Sequence, residues 1–204
     1  MFKPSLRTAA LITMAVPVLG LSLWAGVDDP LSRQDAEQMR QKIVLIGLYA
    51  LADSSQPRRT PVSEGEVNAY LMFEARDQLP DGVVEPYIAM IGAGRVSGRA
   101  TVDLDVVRKK RNTGGLFDPM SYLSGRLPLS ATGILRTSDG VGRFELESAQ
   151  VSGVPLPKTM LQELLSYYSR SKDRPDGLSL DAPFQLPAKI REIEVGQGQA
   201  IVVQ

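Results

Sequence analysis

The segment LPLSATGILRTSDGVGRFELESAQV, residues 127–151, contains two stretches of period-two residues around a turn. Apolar or small residues occupy every second position from Leu127 to Leu135, which is typical of a strand with one buried face. Asp139-Gly140 is a strong local signal for a tight hairpin turn. The returning strand covers Arg143–Val151, and we expect Phe144, Leu146 and Ser148 on one side with Glu145 and Glu147 on the other.

Further strands are predicted on both sides of this hairpin. Ala100, Val102, Leu104 and Val106 alternate with polar residues, and this pattern predicts another half-buried strand. The glycine-containing run 92–98 lacks the spacing of a phosphate-binding loop, so we expect a turn or bulge there. A last strand pair is predicted over Pro183–Leu186 and Lys189–Val203.

Asp103 and Asp105 would lie on one face of the predicted strand that ends at Val106. Paired carboxylates can perform acid–base chemistry or bind a hard cation. No further ligands are placed beside them by the sequence. The simpler interpretation is a solvated sheet face next to Arg or Lys on a neighbouring strand.

Helices are predicted at three places in the chain. Ser32 is an N-cap with Asp35 as its partner, and the helix continues to about Ala52. Its far half, Ile43–Leu51, is apolar nearly all round, which predicts full burial. Ser63 and Glu66 form a capping box for a second helix. The third follows Pro155-Leu-Pro157, and residues 53–61 between the first two are predicted as a polar loop.

The order of these elements predicts an α+β fold, with a curved antiparallel sheet packed around or against helices. We divide the chain into residues 1–27, a signal anchor or signal peptide; residues 28–59, an N-terminal helix and linker; and residues 60–204, the α+β domain.

Composition excludes many kinds of chemistry. The 204 residues include 23 basic and 23 acidic side chains, no Cys and no His. Zero net charge gives no electrostatic case for nucleic-acid binding. Without Cys and His, thiolate catalysis, Ser-His-Asp catalysis and the common zinc sites are excluded. We therefore expect no catalytic residues, no metal and no cofactor; an enzyme would have to use carboxylates, Ser, Lys or Tyr.

The N-terminal segment has the pattern of a membrane-targeting sequence. Lys3 and Arg7 precede Thr8–Val27, twenty residues without a charge, which is about the length of a helical membrane span. The cleavage site near Ala25 is poor, so an uncleaved anchor is favoured over a cleaved signal peptide. A buried N-terminal helix of a cytosolic protein is the remaining alternative.

The charge distribution around this segment predicts its orientation. Positive charge before the span keeps the N terminus inside and exports residues 28–204. An exported chain without Cys is normal for a bacterial periplasm. We expect an inner-membrane protein with one span through residues 8–27, or a periplasmic protein if the segment is cleaved.

Several segments occur in an order that resembles a known family. VSEGEVNAYL (62–71) precedes an LPDGV turn (79–83), and GRATVDLDV (98–106) follows. VSGVPLPKTMLQELLSYY (151–168) and PFQLPAKIREIEVGQGQAIVV (183–203) complete the chain. This order resembles bacterial envelope proteins with a TULIP-like lipid-binding half-barrel. The resemblance implies an apolar cavity between helix and sheet, a lipid ligand and no catalysis.

Two sets of residues are candidates for binding: apolar residues of the helices, which could line a cavity, and a basic loop, which could contact lipid headgroups. The alternative for the apolar residues is ordinary core packing, and the alternative for the basic loop is a solvated hairpin tip. The apolar cavity candidates are Val67, Tyr70, Leu71, Met160, Leu161, Leu164, Leu165 and Tyr168. The candidates for contact with anionic lipid headgroups are Arg108, Lys109, Lys110 and Arg111.

The sequence leaves two functions open. In the first, a membrane-tethered periplasmic protein binds or shuttles a lipid or similar apolar ligand without catalysis. In the second, a structural or adaptor protein of the cell envelope has a filled core and a protein partner. They differ in whether the space between helices and sheet is filled, which a sequence pattern does not reveal.

Overall fold

The fold is α+β with curved antiparallel sheets. The computed structural model describes residues 31–52, 56–106, 125–170, 175–177 and 179–204, without the side chains of 164 and 167–169. The predicted anchor, residues 8–27, and the basic loop, residues 108–111, lie outside the described residues. Within the described part of the chain, no helix is long and apolar enough to cross a membrane.

The strands form a small sheet and a large sheet, and the helices pack on these sheets. The small sheet has the order β1-β9-β8, and the large sheet has the order β2-β3-β4-β5-β6, with β7 also paired to β5. In chain order the elements are α1 (Arg33–Leu51), β1 (Arg59–Ser63), α2 (Glu64–Phe73), a 3-10 turn (Arg76–Gln78), β2 (Val83–Gly92), β3 (Arg95–Asp103), β4 (Arg126–Ser138), β5 (Val141–Val151), β6 (Val154–Pro155), α3 (Lys158–Ser169), β7 (Phe184–Gln185), β8 (Glu192–Val195) and β9 (Gln199–Val203).

Both predicted helix caps are confirmed. The Ser32 hydroxyl accepts a hydrogen bond from the backbone N–H of Asp35 at 3.0 Å, at the start of α1. At the start of α2, the Ser63 hydroxyl accepts from the Glu66 N–H at 3.1 Å, and the Glu66 carboxylate accepts from the Ser63 N–H at 2.8 Å. Each cap satisfies N–H groups that a helix leaves unpaired at its first turn.

The hairpin β4–β5 forms as predicted, except for one change of face. Asp139 and Gly140 have φ values of 50° and 82°, the left-handed pair that a two-residue hairpin turn requires. A bulge opposite Thr132 and Gly133 shifts the register of β5. Ser148 is therefore exposed and Ala149 buried, so the prediction that Ser148 shares the face of Leu146 was wrong.

The predicted strand through Val106 ends earlier, at Asp103. The Asp103 carboxylate accepts hydrogen bonds from the backbone N–H groups of Asp105 and Val106, at 3.1 and 3.2 Å. It thereby caps a helical turn that begins at Leu104, so Asp105 does not share a strand face with Asp103. Asp103 pairs in register with Arg126 and contacts its guanidinium at 3.4 Å, which confirms the expected basic neighbour.

Two predictions about strands near the chain ends were wrong. The region predicted as a loop over residues 53–61 contains the start of β1, because Arg59–Ser63 finds a partner in β9. Pro183–Leu186 does not pair with Lys189–Val203: β7 pairs with β5 instead. The second segment folds on itself into the hairpin β8–β9, with Gly198 at a φ of 67° in the turn.

The main core lies where α1 and α2 cover the small sheet. It is formed by Ile46, Val62, Met90, Ile190, Ala200 and Val202. The predicted full burial of the far half of α1 was wrong. Ile46 is buried, but Val44, Leu48 and Leu51 are exposed, because α2 and β1 cover one side of the helix.

Polar side chains of α2 cover the free edge of β2. The Asn68 amide donates to the Ile88 carbonyl and its oxygen accepts from the Ile88 N–H, both at 2.7 Å. Glu64 accepts from the Met90 N–H at 2.6 Å and from the Tyr87 hydroxyl at 2.7 Å. These bonds replace a neighbouring strand at an edge that would otherwise be unpaired. They fix α2 beside the large sheet.

Candidate functional site

An apolar groove of about 370 Å³ lies between the large sheet and the helices on one of its faces. It opens to solvent and has a size typical of small-molecule sites. The residues that line it are Leu71, Leu79, Pro86, Tyr87, Ile88, Gly98, Arg99, Ala100, Leu129, Ser130, Ala131, Ala149, Gln150, Val151, Leu156 and Leu161.

Small side chains form the floor of the groove. Gly98, Ala131 and Ala149 pair in register across β3, β4 and β5. Ala100 lies two residues from Gly98 and so projects on the same face. A Cβ atom added at Gly98 would meet no atom within 4 Å. The floor leaves space between sheet and helices because its side chains are too short to fill it.

Leucines from both ends of the domain form the walls. Leu71 belongs to α2, which the Asn68 amide fixes against the edge of β2. Leu156 follows β6, and its backbone N–H donates to the Ala149 carbonyl at 2.8 Å, which turns the chain back over the sheet. Pro157 then starts α3, whose first turn presents Leu161 to the groove. The walls are therefore held by hydrogen bonds to the backbone of the sheet, one from the Asn68 side chain and one from the Leu156 N–H.

The polar residues that line the groove contribute mainly backbone atoms to its surface. Tyr87, Arg99, Ser130 and Gln150 pair with one another across β2–β5, one position away from the Gly98 row. Alternation therefore directs their side chains to the opposite face. There the Arg99 guanidinium stacks 4.1 Å from the centre of the Tyr87 ring. The groove surface is apolar because the strands alternate.

The opposite face of the large sheet carries ion pairs. Arg95 contacts Glu147 at 2.7 Å, and Arg136 contacts Glu145 at 2.8 Å. The hydrogen bond from Arg95 holds the pKa of Glu147 below its ordinary value. The glutamates of β5, Glu145 and Glu147, therefore lie on a solvated face.

The perturbed carboxyls of the described residues lie away from the groove. Hydrogen bonds from Arg40 and Gln41 lower the pKa of Glu37 to about 2, and the backbone N–H of Val106 leads the groups that lower the pKa of Asp103. The Arg59 guanidinium lowers the pKa of Glu194. Each shift is explained by an ion pair or by backbone hydrogen bonds. Within the described ranges, no three carboxylates converge as metal ligands would.

The structure brings two of the predicted cavity residues together at the groove, Leu71 and Leu161. Val67 packs against the main core, and the Tyr70 hydroxyl accepts a hydrogen bond from Gln78. Leu165 is partly buried outside the lining, and Met160 is 49% exposed. The side chains of Leu164 and Tyr168, like the basic residues 108–111, lie outside the described residues.

Sequence reasoning missed the floor and half of the walls. Part of the floor has a visible signal, because Ala100 and Ala131 occupy inward positions of two predicted strands and Gly133 follows Ala131 on the same face. Gly98 has no such signal, because the run 92–98 was expected to be a turn or bulge. Small residues at successive inward positions of a strand indicate that a ligand or another backbone segment approaches that face of the sheet. Leu79 and Leu156 carry no such signal, because each lies in a connecting segment.

The chain matches no family model, and comparisons with curated proteins and with solved structures also give no match.

Proposed function

We propose that this chain is a non-catalytic, membrane-tethered periplasmic protein that binds or shuttles a lipid or similar apolar ligand in the groove. The observation that carries the proposal is the floor of small residues beneath leucine walls. A packed core would place large side chains at these inward positions. Here the Cβ direction of Gly98 leads into open space.

The groove suits a hydrocarbon chain. Leu71, Leu129 and Leu161 offer contacts without a polar partner, so a ligand gains by leaving water and has no orienting bond to lose. Each methylene transferred from water contributes about 0.8 kcal/mol. Ten methylenes would supply roughly 8 kcal/mol, which is comparable with the cost of immobilising a ligand. The open side leaves room for a polar headgroup in water.

The proposed location rests on the sequence. Thr8–Val27 would hold the protein at the inner membrane, and residues 28–204 would face the periplasm. A groove tethered to a bilayer is close to a source of apolar ligands. The adaptor function would instead require a groove that is filled and dry in solution.

The test is native mass spectrometry of the full chain, released from detergent, with extraction and identification of any bound lipid. We expect a lipid of defined mass bound to the wild-type protein. Gly98→Phe should lose it, because the ring occupies the groove. A wild-type protein that carries no lipid and binds none on addition would contradict the proposed function.

A matched variant controls for general effects of a new aromatic ring. Thr101 lies three positions along β3, and its register places it on the opposite face from Gly98. Thr101→Phe should therefore retain lipid while Gly98→Phe loses it. Equal loss in both variants would show that the effect is unrelated to the groove.

A further inference from the structure

The exposed side of α1 carries a stripe of apolar side chains. Val44, Leu45, Leu48 and Leu51 are 48%, 44%, 58% and 84% exposed. Their spacing places them on one side of the helix. Ile46, on the other side, is part of the main core. The far half of α1 is therefore apolar on two sides, and the described fold buries one of them.

The same face of α1 is polar before Val44. Gln34, Glu37 and Gln41 precede the stripe at helical spacing, and Glu37 pairs with Arg40 at 2.6 Å. The change from polar to apolar halfway along one face is not explained by packing among the described residues. A contiguous exposed apolar patch marks an interaction surface.

Groups suited to a membrane interface flank the stripe. Tyr49 lies one turn after Leu45, and its hydroxyl donates to the Gln56 carbonyl. The Arg58 guanidinium lies 5.5 Å from the centre of the Tyr49 ring. Tyrosine and arginine beside an apolar patch are typical of the headgroup region, where the ring is half-solvated and the cation meets lipid phosphates.

The distance along the chain favours a bilayer as the occupant. Five residues, 28–32, separate the uncharged stretch Thr8–Val27 from the first residue of α1. Fully extended, they reach about 17 Å. At 1.5 Å per residue, Val44 lies about 17 Å and Leu51 about 27 Å along the helix from Arg33. A helix lying along the membrane surface brings the stripe to the lipid.

We propose that α1 lies on the bilayer surface, with Val44, Leu45, Leu48 and Leu51 inserted at the boundary between headgroups and acyl chains. The inference rests on the membrane tether in the proposed function, and it is independent of whether the groove holds lipid. It assigns α1 a second role, in which one side packs on α2 and the other orients the domain on the membrane.

The absence of Cys from the chain makes a site-specific test direct. Leu48→Cys in the full chain is labelled with an environment-sensitive fluorophore and reconstituted into vesicles of phosphatidylethanolamine and phosphatidylglycerol. The same vesicles are then prepared with a spin-labelled lipid that quenches at shallow depth. Trp24, the single Trp, lies in the uncharged stretch and reports the tether in a parallel experiment with brominated lipids.

We expect the label at position 48 to lose about half of its emission, because interfacial helices bury their apolar face roughly 5–10 Å deep. The control is Ser148→Cys on the exposed face of β5, where we expect no quenching. An unquenched label at 48 with a quenched Trp24 would overturn the proposal and leave the tether standing. If neither is quenched, the tether fails and the proposal with it.

A second copy of the chain is the competing occupant. In that case the label at 48 would be shielded from water without quenching by lipid. Energy transfer between copies labelled with a donor and with an acceptor would then appear in the same vesicles. That combination would overturn the membrane contact and assign the stripe to self-association.

Discussion

Asn68 is the largest side chain that the described fold buries completely, at 1% exposure. Its amide forms two hydrogen bonds with the backbone of Ile88, so one residue fixes α2 against the edge of β2. Asn68→Leu keeps the volume and leaves the N–H and C=O of Ile88 without partners. We expect the unfolding free energy to fall by about 2–4 kcal/mol, measured by chemical denaturation.

Asn68→Asp is the graded control for this prediction. It retains an acceptor for the Ile88 N–H and loses the donor for the Ile88 carbonyl. It also buries a carboxyl beside that carbonyl, which opposes ionisation at that site. An Asn68→Leu variant as stable as the wild type would show that the edge of β2 has another partner.

Local polar chemistry explains which single-residue predictions were confirmed. Ser32 and Ser63 act on N–H groups three residues away, so the sequence itself places donor beside acceptor. The same logic was overlooked at Asp103, whose carboxylate caps a turn at Asp105 and Val106. The alternating pattern predicted a strand through Val106, but the Asp103 side chain ends the strand three residues earlier.

An ion pair between Lys42 and Glu66 joins α1 to α2. The Lys42 ammonium lies 2.6 Å from the carboxylate of Glu66, which also completes the capping box. Burial raises the pKa of Glu66, but hydrogen bonds from Lys42 and from the Ser63 backbone outweigh burial and leave it below the ordinary value of 4.5. The charged form therefore stabilises the folded state.

This shift predicts an acid-dependent stability. Because the pKa of Glu66 is lower in the folded state, its contribution is complete above the unfolded-state pKa and disappears as pH falls through the folded-state pKa. At neutral pH, Glu66→Gln should lower the unfolding free energy by about 2 kcal/mol. The difference from wild type should shrink as pH falls below 4.5, measured by urea denaturation across pH.

Lys42→Gln is the partner variant, and it should show the same convergence because it removes the same ion pair. The exposed carboxyls Glu37, Glu147 and Glu194 also have lowered pKa values, and comparing each variant with wild type cancels their effect. A constant difference down to acid pH would exclude ionisation of Glu66 as the cause.

Substitutions at two adjacent residues near the start of α3 distinguish an effect on groove contact from an effect on helix stability. Leu161 lines the groove, whereas Met160 is exposed outside it. Leu161→Gln should weaken lipid binding about tenfold, because it removes about 1.5 kcal/mol of apolar contact. Met160→Gln should leave binding unchanged. The measurement is the lipid-bound fraction in native mass spectra over a lipid titration, and equal effects would remove Leu161 from the site.

The pairing of elements was less predictable than their existence. The β4–β5 hairpin follows from Asp139-Gly140, because a tight turn fixes which strands are neighbours. The β1–β9 pair joins residues more than 130 positions apart, and no turn chemistry links them. β7 is two residues long and joins β5 instead of the following segment. Such long-range choices depend on burial across the whole domain.

The sequence predicted an α+β fold, but it did not show whether the space between the helices and the sheet is filled. Ala131 and Ala149 were assigned to predicted strands, whereas Gly98 was expected in a turn or bulge and lies in β3. The alignment of the three residues into one floor depends on the register across three strands. The bulge in β5 illustrates the difficulty. Without the shift opposite Thr132 and Gly133, Ser148 would occupy the inward position that Ala149 takes.

A groove that binds lipid makes the stability of the molecule depend on lipid concentration. A ligand that binds the folded state alone adds RT ln(1 + [L]/Kd), about 2.7 kcal/mol at one hundred times Kd. Adding lipid should therefore raise the Tm of delipidated wild-type protein and of Thr101→Phe. Gly98→Phe should be insensitive to lipid, because its ring fills the space. Without lipid it should be at least as stable as wild type, since Phe suits a strand better than Gly and a Cβ atom at position 98 meets no atom within 4 Å. If Gly98→Phe instead unfolded readily in the absence of lipid, the space above Gly98 would be occupied by the protein itself, and the filled core of the adaptor function would follow.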